Sequence, residues 1–143
     1  MTDRPELDEY LLRLAEVVAT RSTCSRLSVG AVLARGGRVL STGYNGAPAG
    51  RPHCVHVPNE DLTAVKSCTV SVHAETNAVV QAARHGVATD GADLFLTHSP
   101  CLGCSGLLLN AGVRRVVFAL EYRDAAGVEQ LTAGGVDVRR WAA

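Results

Sequence analysis

The chain has 143 residues, 14 basic against 14 acidic side chains, and 47% hydrophobic residues. This length suits one domain spanning 1–143 that needs no disulfide scaffold, and zero net charge removes the field that would draw a nucleic-acid polymer or an anionic membrane. No apolar run approaches the roughly 20 residues of a spanning helix, and the polar stretch from Met1 to Glu9 lacks a secretory signal, so a cytoplasmic protein without a membrane partner is expected. In a reducing compartment its five cysteines read as metal ligands, reactive thiols or core residues rather than as paired disulfides.

Leu7, Tyr10, Leu11, Leu14, Val17 and Val18 recur at spacings of three and four behind Pro5, which predicts an amphipathic helix over 4–21. Val29 to Ala34 and Arg38 to Gly43 flank Gly36-Gly37, a pair suited to the positive φ angles of a tight antiparallel hairpin. Residues 44–72 hold three of the five prolines, two cysteines and little periodicity, and are expected to form a long loop with a short helical piece near 59–65. From His73 onward helices and strands alternate: a helix to Arg84, a strand 93–98, a helix 101–110, a strand 114–120, a weak helix 125–133 and a strand 136–140. The pattern predicts an α/β sandwich whose mixed sheet is parallel in its second half and opens with the antiparallel hairpin.

Two groups carry chemistry: His73-Ala74-Glu75, and Pro100-Cys101-Leu102-Gly103-Cys104. Alone, the first reads as an ordinary pair at a helix start. The second reads as a metal or redox pair, or as two small buried residues. The 27 residues between His73 and Cys101 join them, because successive helices along a parallel sheet begin at the same carboxyl edge and can converge on one site. One nitrogen and two thiolates suit tetrahedral zinc with an open fourth position, and Glu75 beside it would be the acid/base.

An H-x-E paired with P-C-x-x-C is the signature of the zinc nucleobase deaminases. From about Leu11 to Val138 the chain resembles the cytidine deaminase superfamily, and within it the deoxycytidylate (dCMP) deaminase-like branch. Val29-Gly-Ala-Val, Gly43-Tyr-Asn-Gly-Ala-Pro and Asn110-Ala-Gly-Val add to the likeness, and the Tyr44–Pro48 stretch looks like the mononucleotide-acting rather than the tRNA-acting branch. The resemblance implies a three-layer α/β/α fold with a five-stranded sheet, a homo-oligomer, and hydrolysis of dCMP to dUMP and ammonia. In that reaction His73, Cys101 and Cys104 hold zinc, water attacks C4 of cytosine, and Glu75 moves the proton to N3 and then helps ammonia leave.

The resemblance also sets backbone groups of Ala74 and Ser99 against the base and Asn45 against the sugar, although Asn45-Gly46 is equally a common turn pair. Arg26 is the leading candidate for a 5′-phosphate, with a solvated surface arginine as the alternative. Tyr122 and Arg123 either cover the nucleotide or are plain loop residues. A second, structural zinc is implied, for which Cys24, Cys54 and Cys68 with His53 or His56 are candidate ligands; buried thiols are the alternative. His85 and His98 read as structural. The chain departs from bacterial relatives at Val70, where an arginine is common, and at Thr76, where leucine, alanine or glutamine is usual; either could change the substrate. Alternative substrates are free cytidine, a modified cytosine nucleotide or another aminated heterocycle, and the non-enzymatic alternative is a zinc-stabilised binding module. Editing of nucleic acid is disfavoured by the charge balance and by only two Phe, three Tyr and one Trp.

Overall fold

Helix α1 (Leu7–Ala19) leads into the hairpin β1 (Gly30–Arg35) and β2 (Arg38–Tyr44). Then follow α2 (Ala74–Arg84), β3 (Asp93–His98), α3 (Leu102–Asn110), β4 (Arg115–Leu120), α4 (Ala126–Ala133) and β5 (Asp137–Arg140). The computed structural model describes residues 3–54, 70–122 and 124–142, so the helical piece expected near 59–65 lies outside the described residues. The sheet order is β2-β1-β3-β4-β5, with β1 antiparallel to both β2 and β3, and β3, β4 and β5 parallel. The mixed sheet and its opening hairpin are therefore as the sequence predicts. Gly36 and Gly37 sit at φ 58° and 78°, the backbone that the hairpin turn requires.

Three layers result because both faces of the central strands are apolar. Leu11, Leu12 and Ala15 of α1 pack on Val32, Ala34, Phe95 and Val117. On the other face Ala74, Ala78 and Ala82 of α2, Leu108 of α3 and Leu131 of α4 cover Ala31, Leu33, Leu94, Leu96, Val116 and Phe118. Strand β1 is consequently buried from Gly30 through Ala34, a near-continuous apolar run rather than an alternating one. The first helix is shorter than the predicted 4–21. After Ala19 the amides of Thr20, Arg21 and Ser22 donate to Val17, Val18 and Ala19, three residues back, and these tighter turns end the helix. No described helix is long and apolar enough to cross a membrane.

Helix α1 is tied to the sheet by charge as well as by packing. Arg115 donates to both carboxylate oxygens of Asp8 at 2.7 and 2.8 Å and to Asp93 at 3.3 Å, and its guanidinium lies 5.6 Å from the centre of the Phe95 ring. The Asp8 side chain is only 22% exposed, so the forked pair is partly shielded from water. The hydrogen bonds from Arg115 hold the Asp8 carboxyl below its ordinary range. A carboxyl held low in the folded state stabilises the fold above its unfolded pKa, and loses that contribution as pH falls through the folded value. Asp8→Asn should therefore lower stability by about 1–2 kcal/mol at pH 7, the size of a hydrogen bond to a charged group. Denaturant melts of both proteins from pH 7 down to pH 3 should show the difference shrinking as wild-type Asp8 becomes protonated.

Candidate active site

The site is assembled at the end of the sheet where β2 and β3 finish. Val72 forms a two-hydrogen-bond bridge with Gly46: the Gly46 amide donates to Val72 at 3.1 Å and the Val72 amide to Gly46 at 2.7 Å. Asn77 Nδ2 donates to the Tyr44 carbonyl at 2.8 Å, and the Ser41 hydroxyl to the Ala78 carbonyl at 2.7 Å. These bonds draw α2 onto β2 so closely that a Cβ at Gly43 would overlap the Ala74 carbonyl oxygen and the Ala78 amide nitrogen. Glycine inside a strand marks such an approach of two backbones. His73 is thereby fixed as the N-cap residue of α2.

The second half of the site comes from β3. After His98 the Ser99 amide donates to the Leu120 carbonyl at 2.8 Å, continuing the β3–β4 ladder by one residue, and Cys101 becomes the N-cap residue of α3. Gly127, near the start of α4, supports this turn from behind, since a Cβ there would overlap the Pro100 and Cys101 backbone. His73 Nδ1 then lies 3.5 Å from Cys101 Sγ and 3.3 Å from Cys104 Sγ. Among the described residues this is the one group of three His, Cys, Asp or Glu side chains with all ligand atoms within 4.8 Å of one another. Bonds of about 2.0–2.3 Å to a tetrahedral zinc place neighbouring ligand atoms about 3.6 Å apart. The spacing and the nitrogen–sulfur donor set both fit that ion, with one coordination position left to a water or a substrate.

The surroundings tune the protonation of the cluster. The hydrogen bond from Cys104, with His73 adding to it, holds the Cys101 thiol far below the ordinary thiol range, while Cys104 is pushed up by donating to Cys101 and by burial. Glu75, in the first turn of α2, is 4% exposed, and that burial raises its carboxyl above the usual value. Thr76 Oγ1 lies 3.8 Å from Cys104 Sγ, so this side chain contacts one thiol of the cluster.

A cavity opens in front of the cluster. Its walls include His73, Ala74, Glu75, Ser99, Cys101, Arg26, Asn45 and Tyr122. Every substrate-contacting candidate read from the sequence and described here thus meets in one place. Asn45 is 7% exposed and already engaged: its Oδ1 accepts the Val29 amide at 2.8 Å and its Nδ2 donates to the Leu27 carbonyl at 2.7 Å. One amide hydrogen and one lone pair are left for a ligand. The Ser99 hydroxyl accepts the Tyr122 amide at 2.8 Å, which pins the segment after β4 to the cavity. Cys24 and Cys54 are buried, with Cys54 Sγ 4.0 Å from the Thr23 carbonyl, and His53 is exposed. Cys68, His56 and Arg123 lie outside the described residues. Leu27, Val29, Ser71 and His98 also line the cavity and were not singled out for binding by the sequence. The strand register alone offered a signal for His98, since it ends β3 three residues before Cys101.

Residues 5–120 match the cytidine and deoxycytidylate deaminase zinc-binding region. The chain belongs to that family. It is 41% identical over 127 residues to the deoxycytidylate deaminase of Mycobacterium phage D29, covering 82% of this chain and 98% of that protein. Similarity to ComE operon protein 2 of Bacillus subtilis is 37% over 130 residues, 90% of this chain and 67% of that one. The crystal structure of dCMP deaminase from the cyanophage S-TIM5 in complex with dCMP and dUMP superposes with a TM-score of 0.86 at 35% identity, covering 98% of this chain and all of that one. The resemblance read from the motifs thus holds for the family, the fold and the zinc-dependent deaminase class.

Because α2 of this deaminase touches β2 backbone to backbone, Gly43→Ala should push the His73 end of the helix outward. Overpacking of this kind costs about 1–3 kcal/mol. The variant should melt lower and bind less zinc. In Gly106→Ala the new methyl meets only the Gln130 side chain at 3.5 Å, so that variant should keep both properties; thermal melts and elemental analysis compare the two.

Proposed function

We propose that this chain hydrolyses dCMP to dUMP and ammonia, with His73, Cys101 and Cys104 holding zinc and Glu75 carrying the protons. The carrying observation is a buried carboxyl, raised by its burial, next to a nitrogen–sulfur cluster at the floor of a cavity. A purely structural metal site has no use for such a group. Bound zinc supplies a Lewis acid that makes a water nucleophilic near neutral pH. Glu75 as carboxylate accepts the proton of the water that attacks C4, and as acid delivers it to N3. The proton of the new C4 hydroxyl, passed through the same group to the exocyclic amine, lets ammonia depart as the C4–N bond breaks and the C4 carbonyl of the product forms. Exclusion of bulk water around Glu75 favours its proton-holding form over the carboxylate, the direction a proton shuttle requires.

The remaining walls would orient the nucleotide. Amides at the start of α2, Ala74 among them, have no carbonyl within the helix to receive them and can meet the base edge together with backbone at Ser99. The spare hydrogen of Asn45 serves a sugar hydroxyl, Arg26 takes the 5′-phosphate, and Tyr122 with Arg123 covers the ligand. A second, structural zinc held by Cys24, Cys54 and Cys68 with His53 or His56 belongs to the same reading, as do a cytoplasmic location and a homo-oligomer. Exposed Leu7, Tyr10 and Val17 on α1 favour self-association.

Ammonia release across dCMP, CMP, deoxycytidine, cytidine and other aminated heterocycles tests the substrate. dCMP should lead by kcat/KM; a nucleoside or another heterocycle leading would reassign the chemistry to that class. Glu75→Ala should keep its zinc and lose at least a thousandfold in kcat, the upper part of the range for general acid–base catalysis extended by its double use. Cys101→Ala should lose one zinc equivalent along with activity. An active Glu75→Ala protein would exclude the carboxyl as proton carrier.

Arg26→Ala removes a charge-assisted contact worth roughly 1.5–3 kcal/mol, so kcat/KM for dCMP should fall by about one to two orders of magnitude. Deoxycytidine, with no phosphate to lose, should be turned over as before. Equal losses on both substrates would mean that Arg26 shapes the cavity rather than binding phosphate.

A further inference from the structure

Hydrogen bonding around His98 gives this half-buried side chain a defined donor. The Gly30 amide donates to Thr97 Oγ1 at 3.1 Å, and Thr97 Oγ1 lies 2.8 Å from His98 Nδ1. The hydroxyl thus receives one hydrogen bond, and among the described residues its own proton has no acceptor other than His98 Nδ1. A ring that accepts at Nδ1 carries its proton on Nε2. No protein atom among the described residues accepts from Nε2, and none of their buried side-chain polar atoms is left without a partner, so this N–H reaches open space. His98 lines the same cavity as Arg26, Asn45 and Glu75, and its ring is held edge-on to Tyr122 at 6.0 Å and 82°. Burial disfavours its charged form, which agrees with a neutral ring.

The amide next to Gly30 belongs to Val29, which fixes Asn45 at 2.8 Å. Two consecutive amides at the start of β1 therefore set two cavity side chains, Asn45 directly and His98 through Thr97. We propose that His98 is a substrate-binding residue whose Nε2–H donates to the 5′-phosphate of the nucleotide alongside Arg26, and that Thr97 is a positioning residue that selects the tautomer. The inference rests on the mononucleotide reading above. Phosphate is the fitting recipient because it is acceptor-only, as a donor-only Nε2–H requires, whereas the base end of the cavity is occupied by Glu75 and the helix N-termini.

The test uses zinc-loaded enzyme. His98→Phe keeps the ring without the donor, and His98→Gln returns an N–H near the Nε2 position. His98→Phe should lower kcat/KM for dCMP by tenfold to a hundredfold and weaken dUMP binding, read by calorimetry, by a similar factor. Zinc content and turnover of deoxycytidine should stay as in wild type, the melting temperature should fall modestly because the buried Thr97 hydroxyl loses its acceptor, and His98→Gln should recover most of the loss on dCMP. Nitrogen-15 spectra of the histidine rings should show His98 protonated on Nε2 in wild type and in Thr97→Ser, and a mixture of tautomers in Thr97→Val with a partial loss on dCMP. Equal losses on dCMP and deoxycytidine, unchanged dUMP binding in His98→Phe, or a wild-type ring protonated on Nδ1 would each overturn the assignment. Wild-type enzyme that acts on deoxycytidine but not on dCMP overturns the mononucleotide reading with it. Normal dCMP turnover in His98→Phe overturns this inference alone.

Discussion

At Gly43 the backbone of β2 lies against the first turns of α2, an approach that any side chain would block. Helix position along and above the sheet is normally a compromise among side-chain volumes, with several near-equivalent solutions. Backbone contact removes that freedom. Together with the Gly46–Val72 bridge and the Asn77–Tyr44 hydrogen bond, it fixes where α2 begins, and hence where His73, Ala74 and Glu75 stand. The other two ligand-forming residues are placed independently by the β3–β4 ladder and by Gly127 beneath Cys101. A metal bound between them joins two separately positioned helix starts, which a loop-borne site would hold less precisely.

The converging helix starts also explain the electrostatics. Free amides at each N-terminus favour negative charge, so a thiolate at Cys101 and an anionic or electron-rich ligand in the cavity are both stabilised there. Against this background Glu75 is held back from ionising by the apolar packing around α2, not by a neighbouring negative charge in the first place. One cavity thus keeps a thiol at the start of α3 easily ionised and a carboxyl in the first turn of α2 reluctant to ionise. Such opposed shifts are what a site needs in order to bind a metal and move protons at the same pH.

Behind the cavity the start of β1 acts as a template. The successive amides of Val29, just before it, and Gly30, its first residue, orient Asn45 and, through Thr97, His98, and β1 itself is buried between α1 and α2. The fork from Arg115 to Asp8 and Asp93 secures α1 at the opposite end of the sheet, away from the chemistry. The charge fork and the cavity are therefore at different ends of the same central strands, in keeping with the rule that open α/β sheets place their crevices at the carboxyl edge.

By itself the sequence determined the element order, the hairpin, the parallel second half, and the pairing of His73-Ala74-Glu75 with Cys101 and Cys104. Those are encoded in short-range periodicity, in Gly36-Gly37 and in a spacing that one crossover unit spans, all of which are local. It also carried the family resemblance in the same motifs. Tertiary structure alone decided what depends on contacts between distant segments. Asn45 proved to be a clamp on Leu27 and Val29 as well as a cavity residue, and Thr76 proved to touch Cys104. The tight turns after Ala19 shortened α1 because the chain must leave the helix to reach β1. His98 read as a structural histidine since nothing adjacent in sequence marks a tautomer. That property depends on an amide 67 residues away, and only the packed sheet brings Gly30 to Thr97.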